Sequence, residues 1–325
     1  MKQNSSWDEI VKVLQRHREF IIVGHSIPDG DCVGSVVGLY LGLVTLGKKV
    51  VAVLEDEIPF AYHFLPGVTE IMQAHQIEEW PRQVIYLDCA DAERPGEVLV
   101  PLLDRCTVSI NIDHHISNSF FGDYNRVEPE KASTAELVLE LLQRLGAEIT
   151  SSIATAIYVG MVTDTGCFQY GSTTPATLRT AAWLLESGVD IDQVRLNLYE
   201  SRPRQEVGLL QRALASLRVT ADGKIASMLI TYQDLVELDA LQHHYEGLIN
   251  HARSIAGVEV GMLFREIEPG VVKIGFRSKQ SVDVNQIAAR FGGGGHPRAA
   301  GAKIEGDIRE IYDRVVGVVA SCMDS

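Results

Sequence analysis

Histidine and aspartate recur in four short motifs in a fixed order: Gly24-His25-Ser26-Ile27-Pro28-Asp29-Gly30-Asp31, Asp88-Cys89-Ala90-Asp91, Asp113-His114-His115 and Asp164-Thr165-Gly166. Four aspartates gathered in one crevice would repel one another unless cations cancelled their charge. Asp29, Asp31, Asp88 and Asp164 with His25 and His114 offer mixed carboxylate and imidazole ligands. Such a set suits Mn²⁺ or Fe²⁺ better than Ca²⁺, and is less typical of Mg²⁺, which prefers oxygen and retained water. Two divalent ions are therefore expected, Mn²⁺ first, with Mg²⁺, Co²⁺ or Fe²⁺ as alternatives. Pro28 and Gly30 support a turn from which the i, i+2 pair Asp29 and Asp31 can point at neighbouring ions. Asp91 reads as a cap or turn residue, and Asp56 and Glu57 as solvated. His243-His244 follows a helical pattern and reads as structural.

A second constellation is Gly292-Gly293-Gly294-Gly295-His296-Pro297-Arg298. Glycines can turn successive N–H groups toward an anion, with His296 and Arg298 adding side-chain donors. Arg277, in Phe276-Arg277-Ser278, can fork onto a phosphate. The net charge is −14, yet residues 265–303 hold seven basic residues against three acidic ones. Residues 206–325 are nearly balanced, with 13 Lys and Arg against 15 Asp and Glu, so the acid excess belongs to the preceding part. A long nucleic-acid duplex is not an expected partner, whereas a short phosphorylated ligand is. Arg265 and Lys279 are expected on the surface.

The elements that must position these groups are legible as patterns. Each of the first three motifs follows an apolar, β-branched run: residues 20–23, 83–87 and 107–112 read as strands, as do 49–54. Helices are expected at 31–46, stopped by Gly47, and at 133–145, 151–162 and 175–186, the one over 151–162 delivering Asp164 at its C-terminal end. Strands alternating with helices predict a doubly wound, mainly parallel α/β sheet, whose ligands gather at the strands' carboxyl ends. Helices at 205–217, 241–253 and 284–290 and strands at 224–230, 258–265 and 271–277 predict a second, smaller α/β domain. The expected division is a catalytic domain over 1–188, a polar linker over 189–204 and a second domain over 205–325, with a cleft between the two.

The motif Gly-His-x-x-Pro-Asp-x-Asp followed by Asp-Cys-Ala-Asp, Asp-His-His and Asp-Thr-Gly resembles the DHH phosphoesterase superfamily, which includes RecJ-type exonucleases and family II pyrophosphatases. Gly-Gly-Gly-Gly-His-Pro-Arg-Ala-Ala-Gly resembles the signature of the DHH-associated substrate-binding domain. By length and motif order the chain is most similar to the group of bifunctional oligoribonucleases and PAP phosphatases. The resemblance implies one metal held by His25, Asp29 and Asp88 and a second by Asp31, Asp88, His114 and Asp164, with Asp88 bridging. It also implies a catalytic set of Asp88, Asp113 and His115, Asp113 orienting the histidines and His115 facing the phosphoryl group. Arg277, Ser278, Gly293, Gly294, Gly295, His296 and Arg298 are implied as the substrate-binding set.

The activity so implied is metal-assisted, in-line hydrolysis at phosphorus. Its expected targets are short single-stranded RNA, cut to mononucleotides, and the 3′-phosphate of pAp. Cyclic di-AMP or a linear dinucleotide is the alternative substrate, and a nucleotide-binding regulator without turnover the alternative of another class. Five scattered cysteines without a Cys-x-x-Cys pair, and a start lacking the regions of a secretion signal, lead to the expectation of a cytoplasmic protein. No membrane partner is expected, and a homodimer is compatible with the sequence.

Overall fold

The computed structural model describes residues 3–323 except 78, 241 and 246, with the side chains of 242 and 243 also left aside. The chain divides into two compact units, Met1–Ser201 and Arg202–Ser325. The first begins with α1 (Trp7–Arg16), β1 (Glu19–Val23), α2 (Gly30–Thr45), β2 (Lys49–Val53), β3 (Ile71–Met72) and β4 (Gln83–Leu87). It continues with α3 (Val100–Leu103), β5 (Val108–Asp113), β6 (Tyr124–Val127), α4 (Thr134–Arg144), α5 (Ser151–Asp164), α6 (Pro175–Glu186) and α7 (Ile191–Tyr199).

The strands pair in parallel, in the order β3-β2-β1-β4-β5-β6. Helical crossovers bury both faces of such a sheet, which explains why the central strands are continuous apolar runs rather than alternating ones. Phe20, Ile22, Ile85, Leu87, Ile110 and Ile112 face the core shared with α2, α4 and α5, while Ile21, Val23, Val84 and Tyr86 face a smaller cluster with Leu99 and Leu103. β1, β4 and β5 are adjacent, so the motifs that follow them emerge at one end of the sheet.

The glycines of α2 mark where it meets its neighbours. A Cβ on Gly34 would lie 2.4 Å from the Ala156 carbonyl of α5, and one on Gly42 2.3 Å from Leu142 of α4. This apolar run is thus a buried helix whose small residues admit two others at close range. Among the described residues no helix is long and apolar enough to cross a membrane.

The stretch 189–204, expected as a linker, is mostly helical. Asp190 caps α7 through hydrogen bonds from Asp192 and Gln193, and Val194 lies in the first unit's core. Its polar composition reflects the helix's exposed faces rather than an absence of structure, and the compact units divide later, after Ser201.

The second unit contains α8 (Arg204–Ala215), β7 (Arg218–Val219), β8 (Ile225–Ile230), α9 (Tyr232–Leu238), α10 (Ile249–Arg253), β9 (Val260–Glu268) and β10 (Val271–Ser278). α11 (Val284–Ala289), β11 (Gly294–His296), β12 (Ala299–Glu305) and α12 (Ile308–Met323) complete it. Its sheet is mixed, in the order β11-β12-β10-β9-β8-β7, with β8 and β9 parallel and the other pairs antiparallel. The helix expected over 241–253 is a 3₁₀ turn at Gln242–Tyr245 followed by α10; Leu241 and the His243 side chain fall outside the described residues, and His244 is buried.

Candidate metal centre

Each donor is held by a local device. Asp29 is the N-cap of α2, where its Oδ1 accepts hydrogen bonds from the amides of Asp31 and Cys32 at 3.1 and 3.0 Å. Asp31, in the helix's first turn, is buried, and its Oδ1 accepts from Ser35 Oγ at 3.3 Å. Asp88 follows β4 with φ 59°, a left-handed conformation that costs a non-glycine residue about 1–3 kcal/mol and is tolerated where the surroundings enforce it. Asp164 ends α5, and Gly166, Cys167 and Phe168 at φ 56°, 59° and 61° reverse the chain immediately afterwards.

These residues converge. His25 Nε2 lies 3.6 Å from Asp29 Oδ1 and 3.5 Å from Asp88 Oδ2. His114 Nε2 lies 3.8 Å from Asp31 Oδ2, 3.7 Å from Asp88 Oδ1 and 3.4 Å from Asp164 Oδ2. Asp88 therefore turns one oxygen toward each histidine. Two groups with donor atoms close enough to share an ion are His25, Asp29 and Asp88, and Asp31, His114 and Asp164. All six residues implied as ligands are brought together.

The histidines' ring orientations follow from their other nitrogens. His25 Nδ1 is 2.8 Å from the Ser26 carbonyl and His114 Nδ1 is 3.3 Å from that of Lys131. A carbonyl only accepts, so each Nδ1 carries a hydrogen, and Nε2 is the ring atom turned toward the carboxylates, where it could serve as a ligand to a cation. Asp113, fully buried, accepts from the His114 amide at 2.8 Å and from His115 Nδ1 at 2.7 Å through Oδ1. Its Oδ2 accepts from Asn118 Nδ2 at 2.6 Å. A further possible group, Asp88 with His114 and His115, overlaps the second, but His115 gives its Nδ1 hydrogen to Asp113.

The electrostatics show a centre built to receive positive charge. Burial pushes Asp31 well above the ordinary carboxylate range, and the charges of Asp88, Asp164 and Asp29 push it further. Burial raises Asp164 to about 7, the His114 interaction opposing and Asp88 adding to the rise. Burial alone would lower His25, but the bonds and charges of Asp29 and Asp88 outweigh it and lift the ring to about 10. At His115 burial is likewise outweighed, by Asp113 and Asp88, and the ring rises to about 9. Raised carboxylates and histidines in one buried cluster favour added positive charge, and buried oxygen and nitrogen donors of this kind fit divalent metal ions.

Two contributors were not visible in the sequence. Asn118, buried, bonds Asp113, Asn111 Oδ1 at 2.8 Å and the Cys89 carbonyl at 3.0 Å. Thr134 donates its hydroxyl to Asp88 Oδ1 at 2.9 Å and its amide to Asp31 Oδ2 at 2.7 Å. Only Ser133-x-x-Glu136, a helix-start signature, hinted that a first turn lay there. Asp91 is a turn residue, accepting from the amides of Glu93 and Arg94. Asp56, expected to be merely solvated, also accepts from the Ile27 amide at 2.8 Å and so braces the loop between His25 and Asp29.

The substrate-binding set lies together in the second unit. Arg277 pairs with Ala299 across β10 and β12, and His296 pairs with Ala299 from the other side. Ser278 is buried, its amide donating to the Arg298 carbonyl at 3.1 Å. Arg298 Nη1 donates to the Val282 carbonyl at 2.9 Å. The glycines do not form the loop of outward-facing amides expected of them. The Gly292 and Gly293 amides donate to the Ala289 and Ala288 carbonyls at the end of α11, and Gly294–His296 is a strand. A Cβ at Gly293 or Gly295 would meet the carbonyl of Gly301 at 2.1 Å or of Ala299 at 2.5 Å, so close approach to β12 is what demands glycine there. Arg265, expected on the surface, is largely enclosed, its guanidinium 4.2 Å from the Tyr245 ring centre.

Residues 19–161 match the DHH family, N-terminal domain, and residues 226–321 the DHHA1 domain. The bifunctional oligoribonuclease and PAP phosphatase NrnA of Thermus thermophilus is 36% identical over 96% of this chain and 91% of its own. The chain belongs to the DHH family. The protein of the same name from Bacillus subtilis is 27% identical over 91% of this chain and 92% of its own. The crystal structure of an exopolyphosphatase-related protein from Bacteroides fragilis superposes with a TM-score of 0.89 at 28% identity, covering 98% of this chain and 95% of that one. This DHH protein is accordingly a hydrolase of phosphoester bonds.

Proposed function

We propose that this DHH protein is a metal-dependent phosphoesterase that cuts short oligoribonucleotides to mononucleotides and removes the 3′-phosphate of pAp, acting in the cytoplasm. The observation that carries the proposal is Asp88, whose two oxygens face two separate histidine–aspartate groups. That arrangement supports His25, Asp29 and Asp88 as holders of one cation and Asp31, Asp88, His114 and Asp164 as holders of the other, with Mn²⁺ the ion best suited to the mixed donors. When bound, such cations supply Lewis acidity toward the phosphoryl oxygens and lower the pKa of water.

The chain's own residues supply the rest. Asp113, itself held by Asn118, accepts the hydrogen of His115 Nδ1 and so sets the orientation of the ring proposed to face the phosphoryl group. Arg277, His296 and Arg298 are the side chains proposed to hold the substrate's remaining phosphate and nucleoside. The names of the Thermus and Bacillus relatives support this substrate class. The described cysteines are free, in keeping with a reducing compartment.

The test offers purified protein with Mn²⁺ a labelled dinucleotide, pAp, a longer RNA, cyclic di-AMP and pyrophosphate side by side. Dinucleotide and pAp should be consumed fastest, and Asp88→Ala should be folded and inactive. Turnover of pyrophosphate alone, or of cyclic di-AMP alone, would overturn the substrate assignment.

A further inference from the structure

A carboxylate at the end of a strand can rotate about its Cβ–Cγ bond and present either oxygen to either side. At Asp88 that freedom is removed. The backbone is fixed by its left-handed φ of 59° and by its amide, which donates to the Ile112 carbonyl at 3.1 Å. The Thr134 hydroxyl then donates to Oδ1 at 2.9 Å, which keeps Oδ1 on the side of His114 and leaves Oδ2 on the side of His25.

This hydroxyl does nothing for its own helix. Ser133 is the N-cap of α4, its Oγ accepting from the Glu136 amide at 3.3 Å. With that position filled, the next two amides, of Thr134 and Ala135, both donate to Asp31, at 2.7 and 2.9 Å. A helix start favours a carboxylate at that point, through its unpaired N–H groups and its dipole. Thr134 thus touches two of the carboxylates gathered around His114 and is itself buried.

We infer that Thr134 is a positioning residue of the cation centre, its hydroxyl locking Asp88 in the orientation that lets one carboxylate serve both ions. The inference rests on the proposed bridging role of Asp88. Outer partners of metal ligands commonly contribute about 10–100-fold to metal affinity.

The experiment titrates Mn²⁺ into the metal-free protein, with affinities from calorimetry and the spectrum from electron paramagnetic resonance. Wild type should take up two ions and give the signal of a spin-coupled pair. Thr134→Val keeps the side chain's shape and loses the hydroxyl. It should bind the second ion about 10–100-fold more weakly, leaving the six-line signal of isolated Mn²⁺ dominant when two equivalents are present. Thr134→Ser, which retains the hydroxyl, should restore affinity and coupling. Should the valine variant not fold, Thr134→Ala makes the same test, because alanine suits the first helical turn and also lacks the hydroxyl. Coupled wild type with an equally coupled, equally tight valine or alanine variant would remove the role of Thr134 and leave the bridge standing. A wild type that never shows coupling would remove the bridge, and this inference with it.

Discussion

Gly160 lies at the crossing of α5 with α2 and α4, where fold and metal centre meet. An alanine methyl there would be 2.6 Å from Ala135 Cβ and 2.9 Å from Asp31 Oδ1. Those two residues are joined by the 2.9 Å hydrogen bond from the Ala135 amide, so the methyl presses on both of them. Asp31 Oδ1 has little room to retreat, since it also accepts from Ser35. Overpacking of this kind costs about 1–3 kcal/mol. Alanine regains about 1 kcal/mol over glycine in a helix interior, so Gly160→Ala should be destabilised by about 0–2 kcal/mol. Displacing Asp31 should also weaken Mn²⁺ binding about 10–100-fold. Gly317→Ala in α12 is the control: nothing lies within 4 Å of its new methyl, and it should gain up to about 1 kcal/mol with metal affinity unchanged. Urea denaturation followed by circular dichroism gives the stabilities, and calorimetry the affinities. A Gly160→Ala protein that is stabilised like Gly317→Ala and binds Mn²⁺ as wild type does would refute the reasoning.

Three other outcomes follow from the same centre. Asp164, raised to about 7, and His25 and His115, raised to about 10 and 9, hold more protons folded than unfolded, so their contribution is full below the unfolded pKa and is lost as pH rises through the folded one. The metal-free protein should therefore melt at falling temperature from roughly pH 4 to pH 10, and the stabilisation added by Mn²⁺ should grow over the same range; a flat or rising metal-free profile in a melting series would contradict this. Asn118→Ala should lower kcat about 10–100-fold on pAp with little change in KM, because Asp113 loses its 2.6 Å partner while the ligands remain; equal loss in KM alone would point away from the histidine. Arg298→Ala should raise KM for a dinucleotide more than it lowers kcat, and a purely kcat effect in steady-state kinetics would count against a substrate-holding role.

Local chemistry made much of this protein readable from its residues. The strand at 83–87 and the helix at 175–186 match the structure to the residue, because an apolar β-branched run and a Thr174 cap with Pro175 are signals contained in a few neighbours. The strand Tyr124–Val127 was not readable, since Asn125 and Arg126 break the apolar pattern and only pairing with β5 makes the segment extended. The strand Ala299–Glu305 was hidden for a related reason: small residues carry little strand preference, and its place is set by β10 on one side and the glycines of β11 on the other.

The sequence by itself determined the donor types, their order and the strand and helix ends that carry them, because each follows from side-chain chemistry and short-range pattern. Tertiary structure alone decided which oxygen of Asp88 faces which histidine. That choice depends on a left-handed backbone, on a hydroxyl 46 residues away in sequence and on helix α4 resting its first turn against Asp31. It likewise assigned the glycines of 293 and 295 to close strand packing, because only in three dimensions does the carbonyl that excludes a Cβ come near.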